Sequence, residues 1–478
     1  MGLRAIAAGM LPALVALAFA GHLFRATPRD SVPVVDDEIA FWNQIAAFER
    51  AGFSGGYHTV NEIPSRAGFS RFGPHGPAYP LLYGSIARIS GWRPYSASVV
   101  SMVLVSLAAT WWYVASGGGT WAALAIATFW PLILFLPSAR QESLHFALAL
   151  TFAAATVQLL ASSRPVSAWV PLLSGCYLAG LLRPTWALLA IPGAWLAYRD
   201  HTLGTRLAAV GAAVAGVIVV TAAFGWLAAP YPGAILSAST TDPWPLILQG
   251  LARLPVNAAT FVDPRSNEPM VVFIRYEALA ILIGAALDVS RARDRSASHA
   301  MLPAILMGVM FAALFVAGSV ELWRDLRAVS PMLLVALLVW LPSGARFSRA
   351  IVLVNALAAP LALSTFASWH TERYQSTLKT SYVRAAITDT LVFRENEPGW
   401  TNTLLVHADA VDPALVALPH GISISVAIAW EDIVLPPRSR YLLLRPQDVD
   451  ALRGRFPLRP LATTPIGTLY ENSNPRAR

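Results

Sequence analysis

AIAAGMLPALVALAFAGHLF (residues 5–24), followed directly by RATPRDSVPVVDDEIAFWNQIAAF (25–48), sets the reading of the whole chain. The first stretch carries no Asp, Glu, Lys or Arg over 20 residues, enough at about 1.5 Å per residue to cross about 30 Å of hydrocarbon. The second places Asp36, Asp37 and Glu38 side by side in the polar segment that leaves that helix. Arg4 and the pattern Ala18-Phe19-Ala20 have the look of a secretory signal with its cleavage site. The apolar stretch outruns the about 7–15 residues of a signal core, so a retained helix is expected.

Outward from there the same kind of stretch recurs. The chain has 478 residues, 56% of them hydrophobic and 13% charged, and a positive mean hydropathy, which excludes a soluble globule. The apolar stretches predict spans at 4–24, 95–116, 120–137, 142–162, 167–182, 184–198, 206–229, 271–289, 300–319, 328–342 and 348–367. The expected fold is an α-helical polytopic membrane protein of about eleven transmembrane helices. Residues 1–370 form that domain, including the loops 25–94 and 230–270. Residues 371–478 form a small soluble α/β domain, with strand patterns at 404–407, 422–430, 441–444 and 468–470 and helical patterns at 374–391 and 446–455. Arg183-Pro184 interrupts the long apolar stretch 167–198 and predicts a break at the membrane surface.

Charge sets the orientation. A cytoplasmic N-terminus puts Arg164, Arg199, Arg206, Arg291, Arg293, Arg295, Arg346 and Arg349 in short inner loops, as the positive-inside rule requires. The loop 25–94, the Arg140 turn, the Arg183 break, 230–270, the turn 321–327 and the C-terminal domain then share the outer face. Two outer segments read as helices lying at the interface: Ile39 to Phe48, with Phe41, Ile45 and Phe48 on one side, and Pro243 to Leu254. Arginine-rich, lysine-poor usage, with Lys379 the sole lysine, suggests a bacterial inner membrane with the tail periplasmic.

The net charge of +8 is not gathered into a basic block interleaved with aromatics, so no nucleic-acid partner is expected. Cys176 is the sole cysteine and lies in an apolar run, which excludes an intramolecular disulfide. No cofactor is required by any motif. A divalent cation is the one candidate, with His58, Glu62 and His75 near one another in sequence, although their spacing matches no ligand pattern and no metal residues are assigned.

Asp37-Glu38-Ile39-Ala40-Phe41 after the first helix resembles the Asp-Glu-x-x-aromatic motif of the GT-C glycosyltransferases. That class uses polyprenyl-phosphate sugars and includes protein O-mannosyltransferases and lipid A aminoarabinose transferases. Further landmarks follow in order. Phe72-Gly73-Pro74-His75-Gly76-Pro77-Ala78-Tyr79-Pro80-Leu81 is similar to the proline-rich segment before their second helix, Leu182-Arg183-Pro184-Thr185 to a later helix start, and Arg327-Ala328-Val329-Ser330-Pro331 to the Arg-Tyr-x-x-Pro entry of a late helix. Phe41 and Ala328 stand where tyrosine is usual, and His75 where many relatives carry lysine. The resemblance implies a polyprenyl-phosphate-linked sugar donor, a glycan, lipid or protein acceptor, and a site at the outer face.

The residues themselves suit that chemistry. Moving a sugar to an acceptor hydroxyl needs a base, and Asp37 is the candidate, with Asp36 and Glu38 beside it. Adjacent acids cannot all point into one pocket, so Asp36 is expected to cap the following helix and Glu38 to bond an arginine or the acceptor. The departing phosphate gathers negative charge, which Arg183 and Arg327, then Arg140, Arg71 and His75, are placed to steady. One base opposite the leaving phosphate implies inversion at the sugar. The plain alternatives are solvated acids at a helix start, a surface Arg140–Glu142 pair, and arginines that mark topology or snorkel. A transporter or flippase of lipid-linked glycans, which would need polar groups facing each other at midplane, and a polymerase or ligase of such glycans are the competing functions.

Overall fold

The computed structural model describes residues 2–34, 36–54, 59–67, 73, 75–161, 165–229, 244–291, 296–317, 326–375, 387, 390–397, 399–452 and 454–475. Helices dominate up to residue 375. Six of the described helices are long and apolar enough to cross a membrane: α1 (Gly2–Phe24), α4 (Ser96–Ala115), α7 (Glu142–Ala161), α10 (Leu203–Leu227), α12 (Pro269–Arg291) and α15 (Arg346–Thr365). Between them lie α2 (Asp36–Ala51), α3 (Ala78–Ser90), α5 (Thr120–Thr128), α6 (Trp130–Phe135), α8 (Val170–Gly180), α9 (Ala190–Ala197), α11 (Trp244–Val262), α13 (Ser296–Ala317) and α14 (Leu326–Trp340), with α16 (Ser368–Gln375) after them.

Prolines set several of the breaks. Phe129 is extended at ψ 90° ahead of Pro131 and divides α5 from α6. The chain likewise leaves α8 at Gly180, extends at Arg183 and restarts with the 3-10 turn Pro184–Leu189 before α9. Pro suits that restart because the first turn of a helix has no use for its missing N–H.

Two helices with the same all-round apolar sequence meet opposite environments. In α14 every residue from Met332 to Trp340 is buried, and the helix forms the spine against α7, α12 and α13. In α10 only Ala213 is buried, and Leu207, Ile218, Val219 and Trp226 are bare. A helix that stays apolar without a protein partner has lipid as its natural complement.

The segment predicted to lie at the interface forms α2 but does not rest on a surface. Phe41, Trp42 and Ile45 pack against α3 and its neighbours, while Ile39 enters the core of the C-terminal domain on the other side. The helix is enclosed because that domain covers the face left over by α3. The second predicted interfacial helix is α11, which continues past Leu254 to Val262.

The C-terminal domain is built on a sheet of six strands in the order β1-β3-β2-β4-β6-β5. Its strands are β1 (Thr59–Val60), β2 (Thr403–His407), β3 (Ser423–Ala427), β4 (Tyr441–Leu444), β5 (Leu458–Thr464) and β6 (Gly467–Asn472). β1, β3, β2 and β4 run parallel, β6 and β5 antiparallel. Strand β1 comes from the first loop, so the unit predicted at 371–478 borrows an edge from residues 59–60. Glu62 fastens the same loop by accepting from the backbone N–H groups of Arg438 at 2.7 Å and Ser439 at 2.8 Å. Strand β5, which sequence periodicity did not predict, carries Pro460 beside a register irregularity on the sheet edge, where a missing N–H is tolerated. Most of the helical pattern predicted at 374–391 lies outside the described residues.

Candidate active site

Four elements deliver charged side chains to one end of the helical bundle: the first turn of α2, the turn ahead of α7, the break before Pro184 and the first turn of α14. The turn ahead of α7 is held by neutral hydrogen bonds. Ser31 Oγ donates to the Pro137 carbonyl at 3.0 Å, Tyr79 Oη to the Ala139 carbonyl at 2.9 Å, and Ser143 Oγ to the Phe135 carbonyl at 2.9 Å. That fixes where Arg140 and Glu142 stand.

Glu142 is the hub. Its carboxylate is fully buried, and Oε1 accepts from Arg183 Nη2 at 3.0 Å and Arg327 Nε at 2.6 Å. Arg327 reaches on with Nη1 to Asp37 Oδ2 at 2.5 Å, and Arg183 Nη1 donates to the Arg327 backbone carbonyl. The arrangement Asp37–Arg327–Glu142–Arg183 is therefore continuous. It joins residues 37, 142, 183 and 327, which the sequence leaves far apart.

Asp37 is half-buried. Burial would raise its carboxyl, but the charge of Arg327 and the hydrogen bond from it, with His75 and Arg140 nearby, hold it down at about 2. The His75 ring packs on Phe41 with centroids 4.6 Å apart, and Phe41 meets Tyr79 edge-on at 5.6 Å, so an aromatic wall stands beside the acid. Gly76 makes that approach possible. It sits at φ +75°, and a Cβ there would lie 2.7 Å from the Phe224 ring and 2.9 Å from the Leu181 carbonyl.

Glu38 points elsewhere and is fully buried. It accepts from Arg373 Nη2 at 2.8 Å and from the Val34 N–H at 3.2 Å, and Arg140 Nε approaches it at 3.8 Å. The Arg373–Glu38 pair ties α16 to the start of α2, and within α16 Arg373 Nε also donates to His370 Nδ1 at 3.1 Å. Among the described residues, Arg140 has no hydrogen bond through its guanidinium, only the 3.8 Å contact and Trp369 at 5.9 Å. Asp36 opens α2, and its side chain lies outside the described set, as do Arg71 and His58.

The structure thus brings Asp37, Arg183, Arg327, Arg140 and His75 together and turns Glu38 toward Arg373. The surface pair Arg140–Glu142 weighed from sequence is corrected: Glu142 takes Arg183 and Arg327 instead, because it faces inward from the first turn of α7. Glu142 and Arg373 were missed as partners. A carboxylate heading an apolar span was itself a signal, since ionisable groups there are rare and paired. Among the described residues no three His, Cys, Asp or Glu side chains cluster as a metal would need, and Glu62 is occupied by two backbone amides.

Inside the bundle, Arg275 and Glu277 bond neutral partners. Arg275 donates to the Thr260 carbonyl at 3.1 Å and to Ser266 Oγ, and Glu277 accepts from Asn355 Nδ2 at 2.6 Å. His145 is buried, and its Nδ1 accepts the Trp186 indole N–H at 2.8 Å.

No protein-family model matches the chain, and no curated protein matches it by sequence. Among solved structures it is similar to ArnT from Cupriavidus metallidurans bound to undecaprenyl phosphate, at 13% identity and a TM-score of 0.41, covering 98% of each chain.

Proposed function

We propose that this chain is a polytopic membrane glycosyltransferase of the GT-C type that moves a sugar from a polyprenyl-phosphate carrier to an acceptor at the outer face. The observation that carries the proposal is the convergence of Asp37, Arg327, Glu142 and Arg183 at one end of the bundle, with Arg140 and His75 beside them. With Glu38 and Arg373 included, four guanidinium groups meet three carboxylates among the described residues, an excess of one positive charge. A sugar-bearing phosphodiester carries one negative charge and matches that excess. Arg140, which makes no guanidinium hydrogen bond among the described residues, is the group most ready to receive it.

In the proposed reaction the acceptor hydroxyl attacks the anomeric carbon while Asp37 takes its proton. The bond from that carbon to the phosphate oxygen breaks, both electrons leave with the phosphate, and the configuration inverts. The guanidinium groups stabilise the charge as it grows on the leaving oxygen.

An aspartate clamped by Arg327 is a poor base. A donor phosphate arriving on Arg327 competes with Asp37 for the same N–H groups and frees the carboxylate, so the donor itself prepares the base. Arg275 bonds the Thr260 carbonyl and Glu277 bonds Asn355 across α12 and α15, and one such pair falls short of the polar track a transporter needs.

The test is transfer of label from radiolabelled polyprenyl-phosphate sugars by membranes containing the full chain. Label should move with the wild type and stay on the carrier with Asp37→Asn; transfer at the wild-type rate by a folded Asp37→Asn protein would remove the assigned base.

A further inference from the structure

The opposite end of the bundle carries a second concentration of positive charge. α14 leaves the site at Arg327 and ends at Trp340, about 20 Å away at 1.5 Å per residue. The turn Leu341–Ser343 and Gly344, at φ +74°, then reverse the chain into α15. A cavity of about 320 Å³ lies here, lined by Asp288 and Arg291 at the end of α12, Ala300 of α13, Ser343 of the turn and Arg346 at the start of α15.

Its charges are unbalanced. Asp288 already accepts the Trp340 indole N–H at 2.9 Å. Arg291, Arg346 and Arg349, the last three residues along α15 from Arg346, are exposed, and among the described residues their guanidinium groups make no hydrogen bond or ion pair; Arg349 lies over the Trp121 ring at 5.9 Å. An apolar strip continues from this rim. Leu353, Leu357 and Leu361 follow Arg349 at steps of four residues on one face of α15, and all are exposed.

We propose that this cavity holds the headgroup of an anionic phospholipid, with its acyl chains along the leucine strip. Among the described residues, two guanidinium groups at the cavity, with Arg349 one turn further along α15, stand against one engaged carboxylate and attract a phosphate, and basic pockets between transmembrane helices suit such headgroups. The leucines separate a lipid from a free anion, which would use the arginines alone. A lipid seated there joins the ends of α12, α13 and α15, so it binds the folded chain in preference to the unfolded one and raises its unfolding temperature.

The experiment uses the purified full chain in mixed micelles, with phosphatidylglycerol, phosphatidylcholine or inorganic phosphate as probe. Native mass spectrometry counts retained lipid, and thermal unfolding reads the linkage. Phosphatidylglycerol should be retained and raise the midpoint, phosphatidylcholine should do neither, and the triple variant R291Q/R346Q/R349Q should weaken retention at least tenfold. Leu357→Ala with Leu361→Ala should weaken lipid retention and leave any phosphate effect unchanged. The proposal is overturned if the triple variant retains lipid like the wild type or if inorganic phosphate raises the midpoint as much as the lipid. It is equally overturned if a control triple at Arg4, Arg199 and Arg206 loses retention equally, since diffuse charge would then suffice. Should the triple variant fail to fold, R346Q alone, at an exposed position, gives the same readout.

Discussion

Glu142→Gln is the most searching perturbation of this protein, because one buried oxygen holds two guanidinium groups. Glu142 Oε1 lies 3.0 Å from Arg183 Nη2 and 2.6 Å from Arg327 Nε, with the carboxylate fully buried. Glutamine keeps the shape and one acceptor but removes the charge. Arg327 retains Asp37, and Arg183 keeps its bond to the Arg327 carbonyl but loses the neutralising charge of Glu142. Breaking a buried ion pair by removing one partner costs roughly 3–5 kcal/mol, and the slight exposure of both arginines places this case at about 3. The new amide N–H groups replace Oε2, which has no partner among the described residues, so water or strain must accommodate them. If about half of that loss falls on the placement of Arg327, near 1.4 kcal/mol, transfer slows about tenfold beyond any loss of folded protein. Chemical unfolding in detergent reads the first number, and single-turnover transfer from a radiolabelled polyprenyl-phosphate sugar reads the second. Glu142→Asp, which keeps the charge on a shorter arm, should recover part of both. A Glu142→Gln protein as stable and as fast as the wild type would show that the arginines do not depend on this carboxylate, and the electrostatic account of the site would fail.

Asp37→Asn should reduce transfer by about 10²–10⁴, the range for loss of a positioned base, and leave the secondary structure intact by circular dichroism. Because the folded-state carboxyl of Asp37 is lowered to about 2, its stabilising contribution is complete above the ordinary value of 3.8 and is lost as pH falls through about 2. The stability difference between wild type and Asp37→Asn should therefore shrink on acidification across that window, and a constant difference would contradict the Arg327 pairing. Arg140→Gln should raise KM for the donor more than it lowers kcat, as steady-state kinetics with varied donor would read. Glu62→Ala leaves two backbone N–H groups of the 438–439 segment without their acceptor and should cost about 2–4 kcal/mol. Hydrogen exchange should then speed at β1 and β3 before it does in α14.

Helix existence and the positions of the charged residues were legible in the chain because hydrocarbon thickness imposes a length on every apolar stretch. The break at Arg183-Pro184 was legible because proline cannot continue a helix. Of the proposed site, Asp37, Arg183 and Arg327 stood out as charges at the ends of apolar segments. Glu142 stood out equally but was read beside its sequence neighbour Arg140, and adjacency in sequence misled.

Composition and hydropathy alone determined that this is a chain of apolar helices followed by a small mixed domain, since burial of apolar surface depends on residue type and spacing. Tertiary structure alone decided that α14 is the buried spine and α10 is bare, because protein interior and lipid are equally apolar and sequence cannot separate them. It also decided that β1 completes a sheet whose other strands lie more than three hundred residues away, and that Glu38 binds Arg373 while Asp37 binds Arg327. Those pairings depend on direction and distance in space, which two neighbouring acids of identical charge do not encode.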